Sequence, residues 1–204
     1  MRTITETKEV FKLEELDENT RQKAYENCVF SDWYLDYGWW DFICDDVKRT
    51  AKIIGIEIDK IYFSGFSSQG DGACFEGSYK YASGWRKAFT DEYGPDNASL
   101  KEVIWIAEQL QAVQRKAFYK LSASVKQSGF YMHSGCTDIT VYNDGSAWNA
   151  TDDQEEEISQ LLREYMDYIY KCLEREYDYL TSFEAFKETC EANDYKFDED
   201  GNLI

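Results

Sequence analysis

Two short stretches hold the side chains that could do chemistry. Ser67, Gln69, Asp71 and Cys74 stand in the segment IYFSGFSSQGDGACFEGSY (61–79), among Gly65, Gly70, Gly72 and Gly77. His133, the only histidine, stands close to Cys136 and Asp138 in YMHSGCTD (131–138). Histidine beside a thiol and a carboxylate is an acid–base or thiolate set. Hydroxyl and carboxamide groups on glycine-rich backbone could hold a small polar ligand, and the backbone amides could cradle an anion. Ser67, Gln69, Asp71, His133 and Asp138 are therefore the ligand-binding candidates. Each stretch has an equally simple structural reading, as a tight glycine-permitted turn and as a histidine satisfied in a hairpin turn.

The familiar motifs are excluded one by one. No Gly-Lys-Ser/Thr follows the glycines, and the segment after them reads as a strand, so no helix N-terminus waits for a phosphate. Ser67 has no glycine two residues later, which removes the nucleophile elbow. A zinc site would need Cys74, His133, Cys136 and an acid to converge, and no spacing demands it. No catalytic residue, metal or cofactor is assigned.

The positioning elements follow from periodicity and caps. Residues 2–11 alternate as a short strand, and Asp17 is placed to cap a helix over 18–30. Trp40, Ile43, Val47, Ala51 and Ile54 recur at helical spacing over 38–54, with Gly55 as the stop. Ile56/Ile58 and Ile61/Phe63 lie on opposite parities, so Asp59-Lys60 must be a bulge or a tight turn. Residues 56–82 read as a long hairpin with its loop at 65–72, followed by a connection with a short helix near 84–91. Capping boxes at Ser99–Glu102, Thr151–Gln154 and Thr181–Glu184 open helices over 100–118, 152–178 and 182–193. A second hairpin comprises 120–126, 130–132 and 136–142, and the tail turns at Asp200-Gly201. Paired strands rather than singly alternating ones predict an α+β fold. The expectation is one domain over 1–204: an antiparallel sheet of two β-hairpins plus edge strands, with about five helices packed against it. Residues 151–204 are a candidate helical subregion. If the hairpins are neighbours, the two chemical stretches meet at their tips.

Composition narrows the partners. The chain has 204 residues, a net charge of −18 and 17% aromatic residues, too many core-forming side chains for a disordered acidic protein. Residues 151–204 hold 17 acids against 5 bases. Such a field repels nucleic acid and anionic membrane, and suits a basic protein partner or imitation of a nucleic-acid surface. Asp152, Asp153, Glu155, Glu156 and Glu157, at the start of the long helix, are candidate partner contacts, or simply fill a first turn that favours negative charge. Trp39 and Trp40, from the cluster WYLDYGWW (33–40), are candidate contacts if not core. Six widely spaced cysteines without a CxxC pair, and no apolar leader or membrane-length run, predict reduced thiols and a cytoplasmic protein.

Four stretches together resemble a known family: DKIYFSGFSSQGDGACFEG (59–77), QAVQR (111–115), HSGCTD (133–138) and EYDYLT (176–181). They are similar to a family of phage and prophage proteins commonly labelled "antitoxin of toxin–antitoxin stability system", over about residues 10–200. The resemblance implies a mobile-element setting in a bacterial host and carries no functional residue over. Two expectations follow. One is an acidic binding protein that antagonises a host defence protein or toxin by contact. The other is a small-ligand binder or enzyme with its site between the tips 65–74 and 131–138.

Overall fold

The computed structural model describes residues 9–95, 98–143 and 150–204. The fold is α+β and, among the described residues, has six α-helices and a four-stranded antiparallel sheet in the order β1-β2-β3-β4. The chain divides into two compact units, 40–174 and 1–39 with 175–204.

The larger unit contains the sheet: β1 Ile56–Phe63, β2 Ala73–Lys80, β3 Leu121–Gln127 and β4 Thr137–Asn143. Ile56, Tyr79, Ala123 and Val141 stand in one row across all four strands and are buried. The next row on the other face, Glu57, Ser78, Ser124 and Thr140, is polar, with Ser124 half-buried and the other three exposed. Alternation across each strand thus gives a core face and a wet face. Between Ile58 and Lys60 the register shifts, leaving Asp59 as the extra residue of a β-bulge. That one insertion returns Ile61 and Phe63 to the core side, opposite Phe75 and Ala73.

Helices α2 (Asp41–Ile53), α3 (Trp85–Tyr93) and α4 (Lys101–Lys116), with the part of α5 (Asp152–Leu180) up to Glu174, supply the rest of this core. α4 and α5 run antiparallel. Lys116 pairs with Glu157 at 2.9 Å, and Lys171 pairs with Glu102 at 2.7 Å, so the end of one helix meets the start of the other. After α4, Phe118 and Tyr119 take positive φ of 53° and 62° and turn the chain into β3.

The smaller unit packs Leu13, Leu16, Ala24, Cys28 and Val29 against Phe186, Cys190 and Phe197. It holds α1 (Glu18–Val29) and α6 (Phe183–Ala192). Phe197 makes single bridges to Phe11 and to Leu203, outside the named strands. Most of the strand expected over 2–11 lies outside the described residues.

Caps explain where the helix starts fall. Asp17 accepts from the amides of Asn19 and Thr20, and Thr151 and Gln154 cap reciprocally at 3.2 and 3.3 Å. The other two boxes are displaced. Residues 98–100 form a 3-10 turn, so α4 starts with Leu100 as its cap, and Glu102 is drawn to Lys171. At α6 the cap is Ser182, because the Thr181 hydroxyl donates back to the Tyr177 carbonyl at 2.8 Å. The expected strand at 130–132 is also corrected. Ser128 and Cys136 close a loop over these residues, and Phe130 is 87% exposed.

Candidate functional site

The β1–β2 loop is built around its one acid. Ser64 donates its amide to the Gly72 carbonyl at 3.1 Å and closes the loop. Inside it the Asp71 carboxylate accepts from the amides of Ser68 and Ser67 at 2.6 and 3.1 Å. These bonds, that of Ser68 first, hold its pKa below the ordinary 3.8. Phe66 stacks between Phe63 and Tyr170, and the Tyr170 hydroxyl donates to the Gly65 carbonyl at 3.1 Å. The loop is therefore pinned to α5, and one oxygen of its carboxylate, Oδ2, is engaged by its own backbone.

The β3–β4 loop is built around its histidine. The amide of Gly135 donates to His133 Nδ1 at 3.1 Å, while Nε2 lies 3.5 Å from Cys136 Sγ. A backbone amide can only donate, so the neutral ring carries its proton on Nε2, and that proton points at the sulfur. In this arrangement His133 is a donor to Cys136 and not the base that would ionise it. Tyr131 stacks on the same ring at 6.1 Å.

The two loops touch. A Cβ on Gly72 would fall 2.5 Å from His133 Cβ and 2.7 Å from its Cα, and one on Gly70 would fall 3.1 Å from the Tyr131 ring. Glycine is required there for this close approach. The contact brings Asp71 and His133 into one neighbourhood and leaves the Ser67 and Gln69 side chains exposed beside it. Asp138 stands apart, in β4 opposite Lys126. Cys74 is fully buried, and burial, with the nearby Cys136 adding to it, pushes its pKa up to about 11. Among the described residues no group of three or more His, Cys, Asp or Glu is placed to hold a metal. The chemistry available at the tips is that of a self-satisfied structural contact.

One test of this assignment is acid stability. Asp71 has a lowered folded-state pKa, so its stabilisation is present above 3.8 and is lost as pH falls through the lowered value. Asp71→Asn should therefore unfold at a lower temperature than wild type at neutral pH, with the gap closing in acid. Thermal unfolding followed from about pH 6 to about pH 3 measures it. A gap independent of pH would show that the carboxylate charge is not what holds the loop.

The acidic candidates lie elsewhere in the same unit. Asp152, Asp153, Glu155 and Glu156 are exposed in the first turns of α5, and Glu157 is half-buried on Lys116. Asp153, Glu156, Glu157 and Gln160 recur at helical spacing and line one shallow depression. It adjoins a groove of about 270 Å³ between α4 and α5, which shares Glu157 and Gln160 and is otherwise lined by Trp105, Gln109, Ala112, Val113, Lys116 and Leu161. Trp105 is 45% exposed. Sequence reading passed over it, although the signal was there: Trp105 falls off the Val103/Ala107/Leu110 stripe, where a large aromatic needs another reason. The tryptophans that were singled out are half-buried and engaged, Trp40 edge-on to Phe63 at 5.4 Å and Trp39 against Tyr177 at 6.0 Å.

No curated protein and no solved structure matches the chain. Residues 39–183 match the family described as "Domain of unknown function (DUF8835)". This span covers the whole sheet-bearing unit and well over half of the sequence, so the chain belongs to that family.

Proposed function

We propose that this is an acidic protein-binding module, encoded by a phage or other mobile element, that antagonises a host defence protein or toxin by contact in the bacterial cytoplasm. The observation that carries the reading is the exposed acidic start of α5 beside a groove with an exposed tryptophan. Desolvated aromatic surface supplies affinity, and a rim of one charge sign supplies steering and selects a partner of the opposite sign. The tips support this reading over a ligand site, because Asp71 Oδ2 and His133 Nδ1 already accept from backbone amides of their own loops. No described helix is long and apolar enough to cross a membrane.

The test is capture from host lysate on the immobilised chain at low and high salt, with the Asp153→Lys/Glu156→Lys variant alongside. A specific partner with a basic surface should be retained at low salt. It should be lost at high salt, where the screening length falls to about 3 Å near 1 M, and lost with the variant. Capture that ignores both salt and charge reversal would sink the proposal.

A further inference from the structure

We infer that the groove between α4 and α5 is the docking site for an amphipathic helix of the partner, apolar along one stripe and basic on its flank. This rests on the binding reading above and adds the occupant. Trp105, Gln109, Ala112, Val113 and Lys116 form one face of α4 over 105–116, a run of about 16 Å or three helical turns. Glu157, Gln160 and Leu161 of the antiparallel α5 form the opposite wall. A shallow groove of that length, with Trp105 and Ala112 as its accessible apolar surface and polar residues beside them, fits one face of a helix, whose side chains at i, i+3, i+4 and i+7 fall along it.

Charge selects which helix. Asp153, Glu156 and Glu157 border the groove on the α5 side, and its lining includes one base, Lys116. Lys116 is already paired with Glu157, and the lysine side chain is 62% and the glutamate side chain 42% open to solvent. Such a pair contributes little, so an incoming lysine or arginine can exchange for it. A second copy of this chain, also at −18, is repelled from the groove, as is nucleic acid. Trp105, 45% exposed, supplies a flat anchor for the apolar stripe and a ring face for a flanking cation.

The experiment uses the full chain and two labelled synthetic peptides of identical composition. One has leucines in a helical stripe with lysines on its flank; the other is scrambled. Fluorescence anisotropy is read at low and high salt for wild type, Trp105→Ala and Asp153→Lys/Glu156→Lys, with circular dichroism confirming that each variant is folded. The amphipathic peptide should bind, and the scrambled one should bind at least about tenfold more weakly. Trp105→Ala should weaken the amphipathic peptide about tenfold or more while keeping its salt dependence. The charge reversal should weaken it and flatten the salt dependence. Equal binding of both peptides, or no effect of Trp105→Ala, would overturn the groove while leaving an acidic-surface binder standing if the reversal still acts. Failure of wild type to bind either peptide at low salt also overturns it. The broader reading falls only if lysate capture is insensitive to salt and to charge reversal as well.

Discussion

Gln114→Ala is expected to remove about 4 kcal/mol of folding stability, because three buried polar groups lose their partner at once. Gln114 is fully buried. Its carboxamide oxygen accepts from the Leu121 amide at 3.1 Å, and its nitrogen donates to the Leu121 carbonyl at 2.7 Å and to the Tyr79 hydroxyl at 3.2 Å. The side chain thus acts as one more strand partner for the first residue of β3, just after the left-handed Phe118–Tyr119 turn. Alanine leaves no atom to replace it, and each orphaned buried group costs about 1–3 kcal/mol. Urea unfolding followed by circular dichroism measures the change, with an unaltered m-value as the sign that the unfolded state is unaffected. Gln111→Ala is the comparison. Gln111 makes one long bond, 3.4 Å to the Tyr81 hydroxyl, and is only half-buried, so its loss should stay below about 1 kcal/mol. Equal effects at the two positions would show that the clamp on Leu121 contributes nothing specific.

Gln114 also shows what a sequence can and cannot reveal here. It stands on the same side of α4 as Val103, Ala107 and Leu110, so its burial is legible from spacing, but the strand it holds is not. The same division runs through the fold. The parity break between Ile58 and Ile61 required a bulge or turn, and the bulge is there, because side-chain alternation is a local rule. Asp17 and the Thr151–Gln154 box were legible because each cap involves only its own first turn. The choice between Thr181 and Ser182 was not, since it depends on where α5 ends and which hydroxyl that end consumes. Phe130-Tyr131-Met132 has the composition of a strand but is exposed loop, because β3 and β4 stop pairing at Gln127 and Thr137.

For the site, the residue types were visible and their hydrogen bonds were not. Nothing in SSQGD or HSGC says that the aspartate turns inward onto Ser67 and Ser68, or that Gly135 fixes the imidazole tautomer. Those bonds tie the acid and the histidine to their own loops, which meet at Gly72 and His133. The groove beside Trp105 is equally illegible, because it exists only with α4 and α5 both in place.

Gly77→Ala should cost about 3 kcal/mol, and more than any change of backbone freedom alone would explain. Gly77 pairs with Ile58, immediately before the bulge. An added Cβ would lie 2.0 Å from the Glu57 carbonyl oxygen, 3.0 Å from its carbon and 3.2 Å from Ile58 Cα. All three are backbone atoms of the paired strand, so no side chain can swing aside. β1 must move away from β2, and the ladder bonds on either side lengthen with it. Gly84→Ala isolates the other contribution. Gly84 has φ +78°, with nothing within 4 Å of the added carbon, so its cost is conformational only, about 1 kcal/mol. Urea unfolding of both variants gives the comparison, and amide hydrogen exchange locates the damage. Protection should fall along β1 in Gly77→Ala and persist in β4, whose pairing with β3 over Leu121–Gln127 and Thr137–Asn143 does not involve Gly77; β3 meets Gly77 only through Val125. Because β1 and β2 carry the loop that rests on His133, exchange should also rise at the Ser67 and Ser68 amides that Asp71 holds. A loss no larger than that of Gly84→Ala, with β1 still protected, would mean that the bulge absorbs the extra carbon.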